Sequence, residues 1–333
     1  RQGSNKESKR FFEKALSNSF NEIHRILKLG GITVIVYAHK TTSGWETMLN
    51  SLVNAGLVVT ASWPIHTEMK SRLRAAASAA LASSIYMVCR KTPREEVGYY
   101  SEIKPKIKKQ IEEKLQQFWN EDIKGGDFFI SAIGPAMEIF SQYKRVEKYS
   151  GERVTTADLL DYIRTVSTDW IVNRLLKGAS SGNIDIESHF YLTYRWTYLD
   201  NTVPFDDARK LASASGVNLE KLWKPGGFVK KMGANVKVLG PRERSEIKIN
   251  SMVDVMHKTL LLWENGRRDK IKELLDTTGY STNPAFWQFC QAVAESLING
   301  NKEKQLLEGF IMGKENYMQE SAGKGQKVLD EYK

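Results

Sequence analysis

The sequence has no run of eighteen consecutive apolar residues, which argues against a membrane-spanning helix. It has no charged, apolar and small-residue succession at its start of the kind that directs secretion. Cysteine is scarce: Cys89 and Cys290 are the only two, far apart and each inside an apolar run. Without a C-x-x-C pair, neither a zinc knuckle nor a disulfide framework is indicated, and a reducing cytoplasm is the compartment that fits. No internal repeat is visible. The chain opens on Arg1 and enters a helical pattern almost at once, which reads as a fragment or a processed chain.

What is present is an ordinary globular composition of 333 residues, 41% hydrophobic and 26% charged, long enough for two or more packed domains. The formal net charge is +10, which favours a polyanionic partner, the plainer reading being simple solubility.

Residues 7–28 predict an amphipathic helix, with Phe11, Phe12, Leu16, Phe20, Ile23 and Leu27 at three- and four-residue steps. Gly30-Gly31 stops it, and 32–37 form a continuous β-branched run expected to be a strand buried on both faces of a parallel sheet. A helix over 44–55, a strand over 57–63 closed by Pro64, a polar Ala/Ser-rich connection and a strand over 84–89 follow. This alternation signals an α/β fold, yet three strands are too few for a complete doubly wound sheet. Beyond Lys91 the pattern turns helical, with helices expected at 102–120, 127–143 and 155–177. An aromatic run over 186–199 reads as core. Two short helices around Gly216 and a hairpin over 228–239 come next, then helices at 251–264, 267–277, 284–298 and 302–318.

At Arg25-Ile26-Leu27-Lys28-Leu29-Gly30-Gly31-Ile32-Thr33-Val34 the chain resembles the turn that leads into the fifth strand of class I S-adenosylmethionine-dependent methyltransferases, with Leu29 in place of the usual proline. Tyr37-Ala38-His39-Lys40, Trp45 and the stretch Ala55 to Glu68 sharpen the likeness to the large prokaryotic adenine-specific DNA methylases, some of which carry a zinc ribbon. Gly126 to Ala136, Tyr194-Arg195-Trp196-Thr197-Tyr198, Val203 to Arg209 and Leu239 to Arg244 extend it over most of the chain. The resemblance implies a C-terminal half of a Rossmann-like methyltransferase sheet over 1–91. A helical region over 92–190, a winged-helix-like DNA-contact module over 191–250 and a helical region over 251–333 follow it.

The same resemblance implies S-adenosylmethionine as cofactor, the exocyclic amine of adenine in DNA as acceptor, and two early motifs. One is a glycine-rich turn for the cofactor; the other is an Asn/Asp-Pro-Pro-Tyr loop. Neither is in the sequence, since none of the eight prolines follows another. The nearest glycine-rich stretch, Asp127 to Gly134, lacks paired glycines and reads better as a helix start with an acidic first turn. The lack matters chemically. The adenine amine is a poor nucleophile because its lone pair is delocalised, and it must be oriented by hydrogen-bond acceptors after the base leaves the duplex. The chain alone is therefore expected to shape a pocket without catalysing transfer. The missing N-terminal half, covalent or in trans, is an expected partner, as is DNA.

Four residues are candidates for lining the target-base pocket: His39 and Lys40 at the exit of the first strand, Trp63, and Glu68. Ligands of open α/β sheets sit at that edge. Arg72 and Arg74 in the following connection are candidate phosphate contacts, as are Lys230, Lys231 and Lys237 in the hairpin and Arg242 and Arg244 after it. No metal ligand set is apparent. Two other readings remain open: a non-catalytic DNA-binding or interaction module, and part of an RNA methyltransferase.

Overall fold

The computed structural model describes residues 5–39, 42–66, 83–123, 125–176 and 184–315. It is mixed α/β and divides into two compact units, Arg1–Trp170 and Ile171–Lys333. No helix among the described residues is long and apolar enough to cross a membrane.

The first unit opens with α1 (Asn5–Ile26), then β1 (Ile32–Tyr37), α2 (Thr42–Asn54), β2 (Val58–His66) and β3 (Ser83–Arg90). The strands form one sheet in the order β1-β3-β2, and β3 is antiparallel to both neighbours. β1 and β2 thus run in the same direction with β3 between them. The expected parallel pairing is corrected accordingly.

Burial on both faces is corrected too. Register puts Ile35, Met87 and Ser62 in one row and Val34, Val88 and Ala61 in the next. The first row is buried; Val34 is 53% and Val36 51% exposed. The reason is that, among the described residues, the helices meet one side only. Trp45 of α2 packs edge-on against Tyr37, which shares the face of Ile35. α5 (Ile133–Phe140) reaches Ser62 on that same face, where a Cβ at Gly134 would fall 1.7 Å from Ser62 Oγ. Only a glycine lets the helix approach so closely. Pro64 does not close β2 but lies inside it. β2 is an edge strand, where a missing N–H removes no ladder bond.

The change of pattern after Lys91 does not coincide with a boundary between compact units. β4 (Glu95–Tyr99) pairs parallel with β5 (Tyr143–Glu147), and β6 (Arg153–Val154) adds antiparallel. These strands escaped the sequence reading because β5 buries only Val146. α3 (Tyr100–Asn120) turns Ile103, Ile107, Ile111 and Leu115 inward. The helix expected over 127–143 is two, α4 (Gly126–Ser131) and α5. Pro135 has no N–H to bond the Ser131 carbonyl, so the ladder breaks before it. α6 (Thr156–Leu175) spans the boundary between the units.

The core of the second unit is α7 (Ile186–Tyr198), the aromatic run, with Phe190, Tyr191 and Tyr194 fully buried. β7 (Val203–Pro204), α8 (Phe205–Ala214), the Gly216 turn, α9 (Leu219–Leu222), β8 (Val229–Met232) and β9 (Asn235–Val238) follow. The three strands form an antiparallel sheet in the order β7-β9-β8. Gly233, at φ +63°, makes the hairpin turn in the left-handed region that glycine adopts freely. α10 (Met252–Glu264), α11 (Arg268–Thr277), α12 (Pro284–Ser296) and α13 (Lys302–Met312) complete the unit near their expected bounds.

Candidate functional site

In the first unit, β1 delivers His39 two residues past its end. The half-buried ring stacks on Tyr37 at 6.1 Å between centroids. Its backbone carbonyl accepts a 2.9 Å hydrogen bond from Trp45 Nε1, and Tyr37 Oη donates to the Gly44 carbonyl at 3.0 Å. A Cβ at Gly44 would lie 2.1 Å from His39 Nδ1. The exit of β1 is therefore filled by its own side chains, with a glycine making room for the imidazole.

Trp63 shares a cross-strand row with Tyr86 and Val36 and is 51% exposed. It projects from the uncovered face, whereas His39 packs on the side of Tyr37 and Trp45. The two occupy the same end of the sheet on opposite faces, and the described residues do not join them in one pocket. Lys40, Glu68, Arg72 and Arg74 lie outside the described residues.

The covered face holds a group that the sequence did not single out. Glu138 of α5 accepts from Gln110 of α3 at 2.6 Å and from Ser62 Oγ at 3.5 Å. Burial raises its pKa above the ordinary carboxylate value, with Lys114, Ser62 and Gln110 opposing. Its partners on α3 and β2 are distant in sequence, so no local pattern singles it out. A pocket of about 210 Å³ in the same unit has a mixed lining that includes Asn50, Val53, Phe140, Arg145, Val154 and Thr155. It is smaller than the roughly 300 Å³ at which ligand cavities begin.

In the second unit, the hairpin lysines divide. Lys230 and Lys237 face each other across the ladder on the exposed side. Lys237 is held by Glu243 at 2.5 Å. Lys231 lies over the rings of Trp223, at 5.0 Å, and Phe205, at 5.7 Å. Arg242 is engaged by Glu264 through both arms of its guanidinium.

Arg244 is only 7% exposed, and the structure withdraws it from a DNA-facing set. Its Nη2 donates to Asp254 at 2.7 Å and to the Gly226 carbonyl at 2.6 Å; Nη1 donates to His257 Nδ1 at 3.1 Å. A guanidinium cannot accept, so Nδ1 carries no proton and the neutral ring bears it on Nε2. From there it donates to Tyr191 Oη at 2.9 Å. Tyr191 accepts again from Arg195 Nε at 3.0 Å and donates to the Glu303 carboxylate. Arg195 closes the chain with an ion pair to Glu303 at 2.9 Å. The His257 pKa is lowered, first by burial; Glu303 pulls upward, and Arg244 and Arg195 add to the lowering. Burial raises the Tyr191 pKa and lowers that of His189, the latter to about 4. This network joins α7, α10, α13 and the segment after the hairpin. Its members are buried, which suits a structural clamp better than a reaction centre.

No protein-family model, no curated protein and no solved structure matches the chain.

Proposed function

We propose that the chain is the C-terminal portion of an adenine-specific DNA N6-methyltransferase that uses S-adenosylmethionine. The observation that carries this reading is the strand order β1-β3-β2 with β3 antiparallel to both neighbours, entered through Arg25 to Val36. Class I methyltransferase sheets end in such an order, with a last strand inserted antiparallel between two parallel ones. The outer edge of β1 adds support. Ile32-Thr33-Val34-Ile35-Val36-Tyr37 has no proline, charge or bulge to protect an edge, whereas β2 has Pro64 and a bulge near Thr60. An earlier half of the sheet adding a strand to β1, with a helix layer over Val34, Val36 and Trp63, would complete the fold.

The described residues do not fit the cofactor itself. The β1 exit is occupied by His39 against Gly44, and the glycine-rich turn is not in the sequence. Cofactor binding and the Pro-Pro-Tyr chemistry belong to the other half. What this chain supplies is the acceptor side: His39 and Trp63 at the strand ends, and a DNA-contact module in the second unit. The succession α7, β7, α8, α9, β8, β9 with sheet order β7-β9-β8 supports a winged helix for that module.

The test is methyl transfer from labelled S-adenosylmethionine, with this chain co-expressed with a polypeptide carrying the two missing motifs. Label on the adenine amine of duplex DNA, dependent on both halves, is expected. Transfer to RNA alone overturns the DNA reading. Transfer to neither, with both halves folded and assembled, favours a non-catalytic DNA-binding module, which the missing motifs already recommend as the second reading.

A further inference from the structure

We infer that His24, Lys91 and Arg94 form a binding site for a single phosphate group, at the end of the first sheet where β1 and β2 begin. The three come from separate stretches: the last turn of α1, the residue after β3, and the residue before β4. Contacts bring them together. Lys91 Nζ donates to the His24 carbonyl at 2.9 Å. His24 Nε2 and Arg94 Nη2 lie 3.4 and 3.6 Å from one point, the position a Cβ would take at Gly56. Arg94 Nη1 donates to the Val53 carbonyl at 2.9 Å. All of these residues belong to the first unit.

What the cluster lacks is an acid. Neither Lys91 nor Arg94 has a carboxylate partner among the described residues. The acids nearest in sequence are engaged elsewhere: Glu22 pairs with Arg25 at 2.7 Å, and Glu95 acts on Tyr143. Yet His24, Lys91 and Arg94 are all half-buried. Withdrawing charge from water without a counter-charge is costly. Burial, then Lys91, then Arg94 lower the His24 pKa, and no carboxylate opposes them. An anion among the three offsets each of these costs.

Helix capping accounts for only part of the set. The end of α2 is closed by its own backbone, Gly56 N–H to the Val53 carbonyl at 3.1 Å and Leu57 N–H to that of Leu52 at 3.3 Å. Arg94 is an addition to that closure, and it spends a single N–H there, as Lys91 does on His24. Their other N–H groups remain for a ligand, and His24 donates from Nε2 as that tautomer or as the cation. Donors arriving from three stretches of chain suit a tetrahedral anion, whereas a planar carboxylate favours one flat fork. Two fixed cations match the charge of a phosphate.

The site is independent of the methyltransferase reading. β1 separates it by six residues, about 20 Å, from the strand end that carries His39. The phosphate is supplied free, as a small monoester, or by a nucleic-acid backbone, and the test separates a free ion from a backbone.

The experiment is calorimetric titration of the full chain at fixed ionic strength, once with inorganic phosphate and once with a short DNA duplex. The native chain is expected to bind at least one. Lys91→Gln with Arg94→Gln is expected to weaken that binding at least about tenfold, the worth of one charge-assisted hydrogen bond. Where the duplex is the source, inorganic phosphate competes with it at this site. Arg25→Gln, which removes a neighbouring cation already paired with Glu22, is expected to change neither affinity. Arg94→Gln alone, with the end of α2 still closed by Gly56, repeats the test should the double variant fail to fold. Binding of neither probe by the native chain overturns the inference. So does an unchanged affinity in the folded variants, or an equal loss in Arg25→Gln.

Discussion

Arg244 and Lys230 show how little the residue type says about its task. Both are basic, both belong to the stretch around the hairpin, and both invite a phosphate. One is an interior strut and the other is free on the surface. Replacing Arg244 by Leu leaves Asp254 and the Gly226 carbonyl without their buried donor. The expected destabilisation is about 3–5 kcal/mol, read from the urea midpoint. Lys230→Gln is expected to shift that midpoint by less than about 0.5 kcal/mol.

Acid should find the same interior. His189 and His257 both have lowered pKa values in the folded chain, His189 near 4. The unfolded chain therefore takes up protons first, below its ordinary value of about 6.5. Stability is full above that pH and falls as pH drops towards 4. His189 alone accounts for on the order of 3 kcal/mol of that loss. Denaturant titrations at stepped pH check the sign: His189→Gln should flatten the slope, and an unchanged slope refutes the assignment.

At the scale of elements, two close approaches hold the first unit. Gly134 lets α5 lie on Ser62, and Gly44 lets α2 begin against His39. Gly134→Ala forces a methyl into the Ser62 side chain, and an overpacking loss of about 1–3 kcal/mol is expected by thermal or urea unfolding. Gly266→Ala serves as the contrast. Nothing lies within 4 Å of its Cβ position, so any loss there comes from its φ of +68° alone.

Helices were legible because period and breakers agree: α10 to α13 fall within a few residues of the sequence reading, and the last ends earlier than expected. β4 and β5 were not legible, since Glu95, Glu96, Lys144 and Arg145 give a strand no apolar alternation. α4 and α5 were fused in the reading because their apolar residues continue across the break that Pro135 makes.

At the scale of the whole molecule, the exposed apolar side chains concentrate early in the chain. Ile32, Val34, Val36, Trp63 and Ile65 are all exposed on the open face of the β1-β3-β2 sheet, while the second unit presents mostly isolated ones. Contiguous apolar surface of this kind marks an interface or an aggregation risk. Val34→Thr with Val36→Lys is expected to lower self-association of the isolated chain in light scattering without lowering its melting temperature. In the co-expression test the same pair should abolish assembly with the other half. Retained assembly would show that the partner does not use this face.

The sequence by itself determined the order of the first five elements, most helix limits, the turn at Gly30-Gly31 and the buried aromatic helix. These depend on local period, on breakers and on which residues are present. Tertiary structure decided the direction of β3, which face of the sheet is covered, the separation of His39 from Trp63, and which cations are neutralised. Each depends on a partner distant in sequence: Ser62 for Gly134, Glu264 for Arg242, Asp254 for Arg244. A side chain's type limits the bonds it can make, and only packing brings the other half of each bond within reach.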